Sequence, residues 1–381
     1  MNASSRHCTR VCFVTGSRAE FGLMQRTLQA IAQHRRLKLQ IIVTGMHLDR
    51  RRGRSIDELR RQGWTIDAVV PWRQSGQQSS VAAAMGRAIA GISRALDRLR
   101  SDIVLVVGDR VEAFAAAAAG HVGGRIVAHI HGGDRAPGVV DDSLRHAITK
   151  LAHLHLAATR QSAARILRLG EDPRRVHVVG SPGIERIGDD ARADHHLRPG
   201  RFALLVLHPA EANEALEAAR AELVLECTTC IGFDRIVIVY PNNDPGSQGI
   251  ARVWDRHAGN QRLVLHRNLP RASFLGLLRD AAVLVGNSSS GIIEAASFGT
   301  PVVDIGPRQK GRLRNRNVVH VPYSRRAIVA ALRKLWNAGR PVRFGRNNIY
   351  GGGATGERIA RVLAGLSPEA RPDFRQKLIT Y

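Results

Sequence analysis

The chain has 381 residues and a mass of 41.6 kDa, with 44% hydrophobic and 23% charged residues. That is enough for two domains at roughly 150 residues each and too apolar for a disordered chain. The formal charge of +25 comes from 57 basic against 32 acidic residues, yet five of the cations are lysines and the other 52 are arginines spread along the chain, with 4% aromatics. A nucleic-acid surface calls for basic clusters interleaved with aromatics. The bias therefore reads as that of a GC-rich genome, and it suits a polyanionic small substrate. Nearly uncharged apolar stretches such as 103–107 and 114–120 fall well short of the roughly 18 to 20 residues of a membrane span. The N-terminal segment has no apolar core of a secretory signal, and the expected compartment is the cytoplasm. Cys227 and Cys230 with Cys8 and Cys12 could be read as two halves of a zinc site. Cys12 lies inside an expected buried strand, so no metal is expected.

In chain order, apolar β-rich runs occur at 11–15, 40–44, 103–107, 125–129, 155–158 and 176–179. Helical periodicity separates them, at 20–34, 80–100, 110–122 and 142–153. Continuous rather than alternating apolar strands imply burial on both faces, hence a parallel sheet covered by helices. After the charged, proline-bearing stretch 188–201 the pattern restarts, with strands at 202–207, 235–240, 262–265, 282–285, 301–305 and 318–321. The expected fold is α/β: two doubly wound, Rossmann-like domains in series, facing across a cleft. Ligands of such sheets bind outside the carboxyl ends of the strands.

The loops at those strand ends are rich in polar groups. Arg18 and Glu20 follow the first strand, His47 the second, Asp109 and Arg110 the third, and His131 and Asp134 the fourth. Asp141 and Arg145, at i and i+4, share one face of the next helix. In the second half, Gly286 to Gly291 follows strand 282–285 and opens a helix expected at 292–298. The hydroxyls of Ser288, Ser289 and Ser290 beside free backbone N–H groups suit a diphosphate, and Glu294 could accept from a ribose diol. His208 ends strand 202–207, Asn243 lies just past strand 235–240, and Arg308 supplies a cation for phosphate. The glycines 351, 353 and 356 spell GxGxxG, but no buried strand precedes them, so the dinucleotide fingerprint fails. No GxxxxGK[ST] occurs, and no cofactor is expected.

With those motifs in view, the sequence resembles the hydrolysing UDP-N-acetylglucosamine 2-epimerases of the sialic-acid type over nearly its entire length. The landmarks are VTGSRAEFGLM (14–24), VTGMHLD (43–49), VVGDRVE (106–112), HIHGGD (129–134), DDSLRHAITKLAHLH (141–155), VVGSPGIE (178–185), YPNNDPGS (240–247), HRNLP (266–270), GNSSSGIIEAASFGTPVVDIG (286–306) and RQKGR (308–312). The resemblance implies a fold like that of GT-B glycosyltransferases. Its domains would be 1–187 and 188–363, with a last helix at about 364–381 returning to the first. It implies catalytic roles for Asp109, His131, Asp141, Arg145 and His208. Contacts to a UDP-sugar would come from Arg18, His47, Asp134, Asn243, Ser288, Ser289, Ser290, Glu294 and Arg308. Several family members carry Glu where this chain has His131, and Glu is usual in place of Asp134. No metal or redox cofactor and no nucleic-acid or membrane partner is implied, and a homodimer or homotetramer is expected. The implied reaction eliminates UDP to a glycal and hydrates it to free N-acetylmannosamine. The alternatives are a diacetamido-trideoxy sugar as substrate, a non-hydrolysing epimerase, a GT-B glycosyltransferase, and a nucleotide-sugar sensor without turnover.

Overall fold

The computed structural model describes residues 8–49, 54–72, 78–135, 140–242, 244–337 and 339–366, with 374, 376, 377 and 380. These form two compact units. The first comprises the described residues of Met1–Asp134, Val139–Glu185 and Gly353–Tyr381, and the second those of Arg135–Gly138 and Arg186–Gly352.

In the first unit, seven strands form one sheet: β1 (Thr9–Thr15), β2 (Leu37–Val43), β3 (Ala68–Val69), β4 (Ile103–Val107), β5 (Ile126–Ile130), β6 (Leu154–Ala157) and β7 (Val176–Val178). Their order is β3-β2-β1-β4-β5-β6-β7, and every neighbouring pair is parallel. Successive side chains of a strand point to opposite faces. Val11 and Phe13 accordingly join one core cluster and Cys12 and Val14 another, all at 0 or 1% exposure. That double burial is why these strands read as unbroken apolar runs. The two-residue edge strand β3 was not expected, being too short to show a period. Helix Thr355–Ala364 packs on helix Arg18–Gln33, burying Ile359, Ala360 and Leu363 in the cluster of Phe21, Met24 and Leu28. The helix expected at about 364–381 falls largely outside the described residues.

The second unit repeats the plan with β8 (Phe202–Val206), β9 (Arg235–Val239), β10 (Leu263–His266), β11 (Val283–Gly286), β12 (Val302–Ile305) and β13 (Val318–Val321). The order is β10-β9-β8-β11-β12-β13, again parallel. Its core, with Leu205, Ile236, Ile238, Val285 and Trp254, is its own. The helix expected at 292–298 starts earlier, at Ser289–Ile293, and tightens into a 3-10 turn at Ala295–Phe298.

Both sheets are thus doubly wound α/β sheets. In each, strand order reverses beside the first strand, between β1 and β4 and between β8 and β11. Adjacent connections leave for opposite faces at these points and open a crevice at the carboxyl ends. No helix among the described residues is long and apolar enough to cross a membrane.

Candidate active site

The carboxyl end of the first sheet carries a connected polar network. Gly108 turns the chain after β4 at φ +77°, a left-handed value that glycine adopts without a Cβ penalty. His129 braces that turn, its Nε2 lying 2.8 Å from the Gly108 carbonyl. Burial, with a smaller contribution from Arg145, pushes the His129 pKa down to about 3, so the ring is neutral. Asp109 follows, and its carboxylate accepts a hydrogen bond from Arg145 Nη2. Arg145 Nη1 donates to the His131 carbonyl at 2.9 Å, and its buried Nε has no hydrogen-bond partner among the described residues.

His131 itself sits at φ +64°, in a region costly for residues with a Cβ and concentrated at functional sites. Its Nδ1 lies 2.8 Å from Asp134 Oδ2 and its Nε2 lies 3.0 Å from Ser181 Oγ. Ser162 Oγ donates to Asp134 Oδ1 at 2.6 Å. Burial opposes ionisation of Asp134, but the hydrogen bond and charge of His131, with Arg145 and Ser162, outweigh it and hold the carboxyl well below the usual carboxylate range. An ionised carboxylate only accepts, so Nδ1 of His131 carries a proton and Nε2 is left to exchange one.

Arg18, His47 and Glu20 have partners of their own. Arg18 pairs with Glu58 at 3.1 Å. His47 is fully buried, its ring nitrogens 3.1 Å from Thr15 Oγ1 and 2.8 Å from Ser55 Oγ. Burial lowers its pKa to about 4. Burial also pushes Glu20 up to about 8, partly offset by the Gly16 N–H it accepts at 3.0 Å. Asp141 lies on helix Val140–Leu151, and its side chain is outside the described residues.

In the second unit, Asn287 is the hub. Its side chain accepts from the His208 N–H at 2.7 Å and donates to the His208 carbonyl at 2.8 Å, while Gln309 Nε2 donates to the Asn287 carbonyl at 2.8 Å. The loops after β8, β11 and β12 are thereby locked together. Gly286 enters this turn at φ +131°, where a side chain would strike the Val206 carbonyl. Ser288 caps helix Ser289–Ile293, its Oγ accepting from Ser290 N at 3.3 Å and meeting Ser290 Oγ at 2.8 Å. Ser289 is half-buried, and Glu294 pairs with Arg271 at 2.6 Å. His208 Nδ1 accepts from Asn242 N at 3.1 Å. Burial and the nearby Arg308 push its pKa down to about 3. Arg308 pairs with Asp244 at 3.1 Å, and Asn243 lies outside the described residues.

The structure therefore joins Asp109, His131, Asp134 and Arg145 in one unit, and His208 with the Arg308 loop in the other. Sequence reasoning overlooked Ser162, Ser181, Asn287 and Arg271. Ser181 and Asn287 stand in strand-end turns and could have been found by extending the same search. Ser162 is a helical serine that no linear pattern ties to Asp134.

The chain matches the family model described as UDP-N-acetylglucosamine 2-epimerase over residues 29–364. It is 35% identical over 364 residues to the UDP-N,N'-diacetylbacillosamine 2-epimerase (hydrolyzing) of Legionella pneumophila, covering 93% of this chain and 95% of that protein. It is 32% identical to the UDP-N-acetylglucosamine 2-epimerase of Neisseria meningitidis, covering 93% and 94%. In fold it is similar to the crystal structure of a UDP-GlcNAc 2-epimerase from Neisseria meningitidis bound to UDP-GlcNAc, at 18% identity and a TM-score of 0.79 over 94% of this chain and 100% of that one.

Proposed function

The chain belongs to the UDP-N-acetylglucosamine 2-epimerase family, and we propose that this UDP-sugar 2-epimerase is a hydrolysing one that converts UDP-N-acetylglucosamine to UDP and free N-acetylmannosamine. The observation that carries this reading is the Asp109–Arg145–His131–Asp134 network at the carboxyl ends of β4 and β5. It offers an imidazole whose Nδ1 is held by an ionised carboxylate, beside a second carboxylate and a buried cation. Proton transfer at a sugar carbon needs such groups.

The C2 hydrogen of the sugar is not acidic until the bond from C1 to the diphosphate begins to break. A base, His131 Nε2 or the carboxylate of Asp109 or Asp141, takes the C2 proton. The C–H electron pair becomes the C1–C2 double bond, and the C1–O pair leaves with UDP. Arg145 offsets charge beside the base. In the second unit Arg308 with the Ser288–Ser290 segment takes the diphosphate, Glu294 the ribose, and Asn243 and the Nε2–H of His208 contact the nucleotide sugar. Arg18 is a further diphosphate contact, while His47 and Asp134 hold substrate-binding turns. Stabilising the departing diphosphate is the larger contribution. Water then adds at C1 of the glycal while C2 is protonated from the opposite face. The reading includes a cytoplasmic homo-oligomer acting without metal or cofactor in sialic-acid biosynthesis.

A diacetamido-trideoxy sugar is a second reading, favoured by the Legionella pneumophila relative. Turnover of UDP-N-acetylglucosamine and UDP-N,N'-diacetylbacillosamine in D2O and in 18O water, followed by NMR and mass spectrometry, separates the cases. The expected product is N-acetylmannosamine with deuterium at C2 and, before mutarotation, 18O at C1. Retained C2 hydrogen would exclude the glycal route. A UDP-linked product would make the enzyme non-hydrolysing, and turnover of the diacetamido sugar alone would select the second reading.

A further inference from the structure

Asp244 lies in the segment after β9, and its Oδ2 accepts from two sources, Arg308 Nη2 at 3.1 Å and Asn242 Nδ2 at 2.7 Å. The backbone N–H of Asn242 donates in turn to His208 Nδ1 at 3.1 Å. A backbone amide can only donate, so Nδ1 holds a lone pair and the neutral ring carries its proton on Nε2. One carboxylate oxygen therefore ties a cation from the loop after β12 to the turn that sets the tautomer of a histidine after β8. Resting on the reading that Arg308 contacts the diphosphate and His208 the nucleotide sugar, we propose that Asp244 is a positioning residue that orients both groups before substrate arrives. Its bond uses one donor of the Arg308 guanidinium and leaves the rest of the planar fork for a phosphate. It also fixes the Asn242 turn, so that His208 presents Nε2–H as a donor. Side chains held in advance lose less freedom when the ligand binds.

Asp244 is 39% exposed, so its replacement need not disturb the core. In calorimetry of the full chain with UDP, Asp244→Ala should bind roughly tenfold more weakly, as expected for losing a charge-assisted contact that orients the arginine. Asp244→Asn, which keeps the shape and one acceptor oxygen, should lose less. In 15N spectra of histidine-labelled protein, with the His208 signal assigned from His208→Gln, the wild type should show a pure Nε2–H tautomer and Asp244→Ala a mixture. A merely structural role would leave that signature unmoved. Wild-type or tighter UDP binding by Asp244→Ala, where Arg308→Ala is weakened, overturns the positioning of Arg308. An unchanged tautomer overturns the positioning of His208. Unchanged UDP affinity in Arg308→Ala would instead remove Arg308 from the UDP site, a failure of the functional reading itself.

Discussion

His131 combines a backbone in the left-handed region with a side chain held on one side by Asp134 and on the other by Ser181. The two features separate by substitution. Asparagine tolerates positive φ and can still donate an N–H toward Asp134, but it cannot take up a proton near neutral pH. His131→Asn should therefore melt within a few degrees of wild type while turnover falls at least about a hundredfold, the contribution typical of a positioned acid or base. His131→Ala also takes from Asp134 Oδ2 its His131 donor, leaving the buried carboxylate with Ser162 on the other oxygen, and should cost about 1 to 3 kcal/mol of stability as well as activity. Thermal melts and steady-state rates on the two variants check this, and an active asparagine variant would reduce His131 to a turn residue. A histidine in a Gly-rich strand-end loop was visible in the sequence. Its link to Ser181, and that of Asp134 to Ser162, were not, because the chain returns there only after one or two further crossovers.

Helix Val140–Leu151, which carries Arg145, is held at its far end by the C-terminal segment. Lys377 Nζ donates to the carbonyls of Thr149 and Ala152 at 2.9 and 2.5 Å, filling positions that a helix C-terminus leaves unpaired. Glu171 binds the same lysine at 2.7 Å, Lys150 at 2.7 Å and His155 Nε2 at 3.0 Å. Burial would raise the Glu171 pKa, but the hydrogen bonds from His155, Lys150 and Lys377 prevail and bring it down to about 2 from an ordinary 4.5. A carboxylate with a depressed folded pKa stabilises the fold above its unfolded value, and that stabilisation is lost as pH falls toward the folded one. Melting temperature should therefore drop between about pH 4.5 and 2. Glu171→Gln, less stable at neutral pH, should show a flatter profile over that window, and parallel slopes in the two proteins would exclude the cluster as a source of acid sensitivity. The helix was legible from its apolar spacing and Arg145 from its place on it. The lysine that caps it comes from more than two hundred residues away, which no local pattern encodes.

At the scale of the whole molecule, the two units differ in how the chain closes them. The second unit lies within one continuous stretch apart from Arg135, and its core draws only on residues of that stretch. The first is completed by Ile359, Leu363, Leu366 and Phe374 from the end of the chain, and Glu185 Oε2 accepts the Gly356 N–H at 2.7 Å where the two crossovers meet. A fragment of residues 186–352 should then fold alone with a cooperative melt. A fragment of residues 1–185 should not, since it exposes the Phe21, Met24 and Leu28 face, and burying side chains such as Ile359 and Leu363 is worth about 2 to 5 kcal/mol each. Circular dichroism melts of both fragments test this, and a cooperative melt of 1–185 would show that the returning helix is dispensable. The α/β class, the duplication of the sheet and nearly all of its strands were legible in the amino-acid pattern, because a strand buried on both faces must be apolar at every position. That pattern also marked the strand-end loops, because a doubly wound sheet places its chemistry there. Which of those loops touch emerges from the folded chain: Arg145 holds Asp109, Asp134 holds His131, and Asn287 and Asp244 lock the groups around His208. Those pairings depend on strand order, and strand order is set by how helices pack across the sheet rather than by any spacing along the chain.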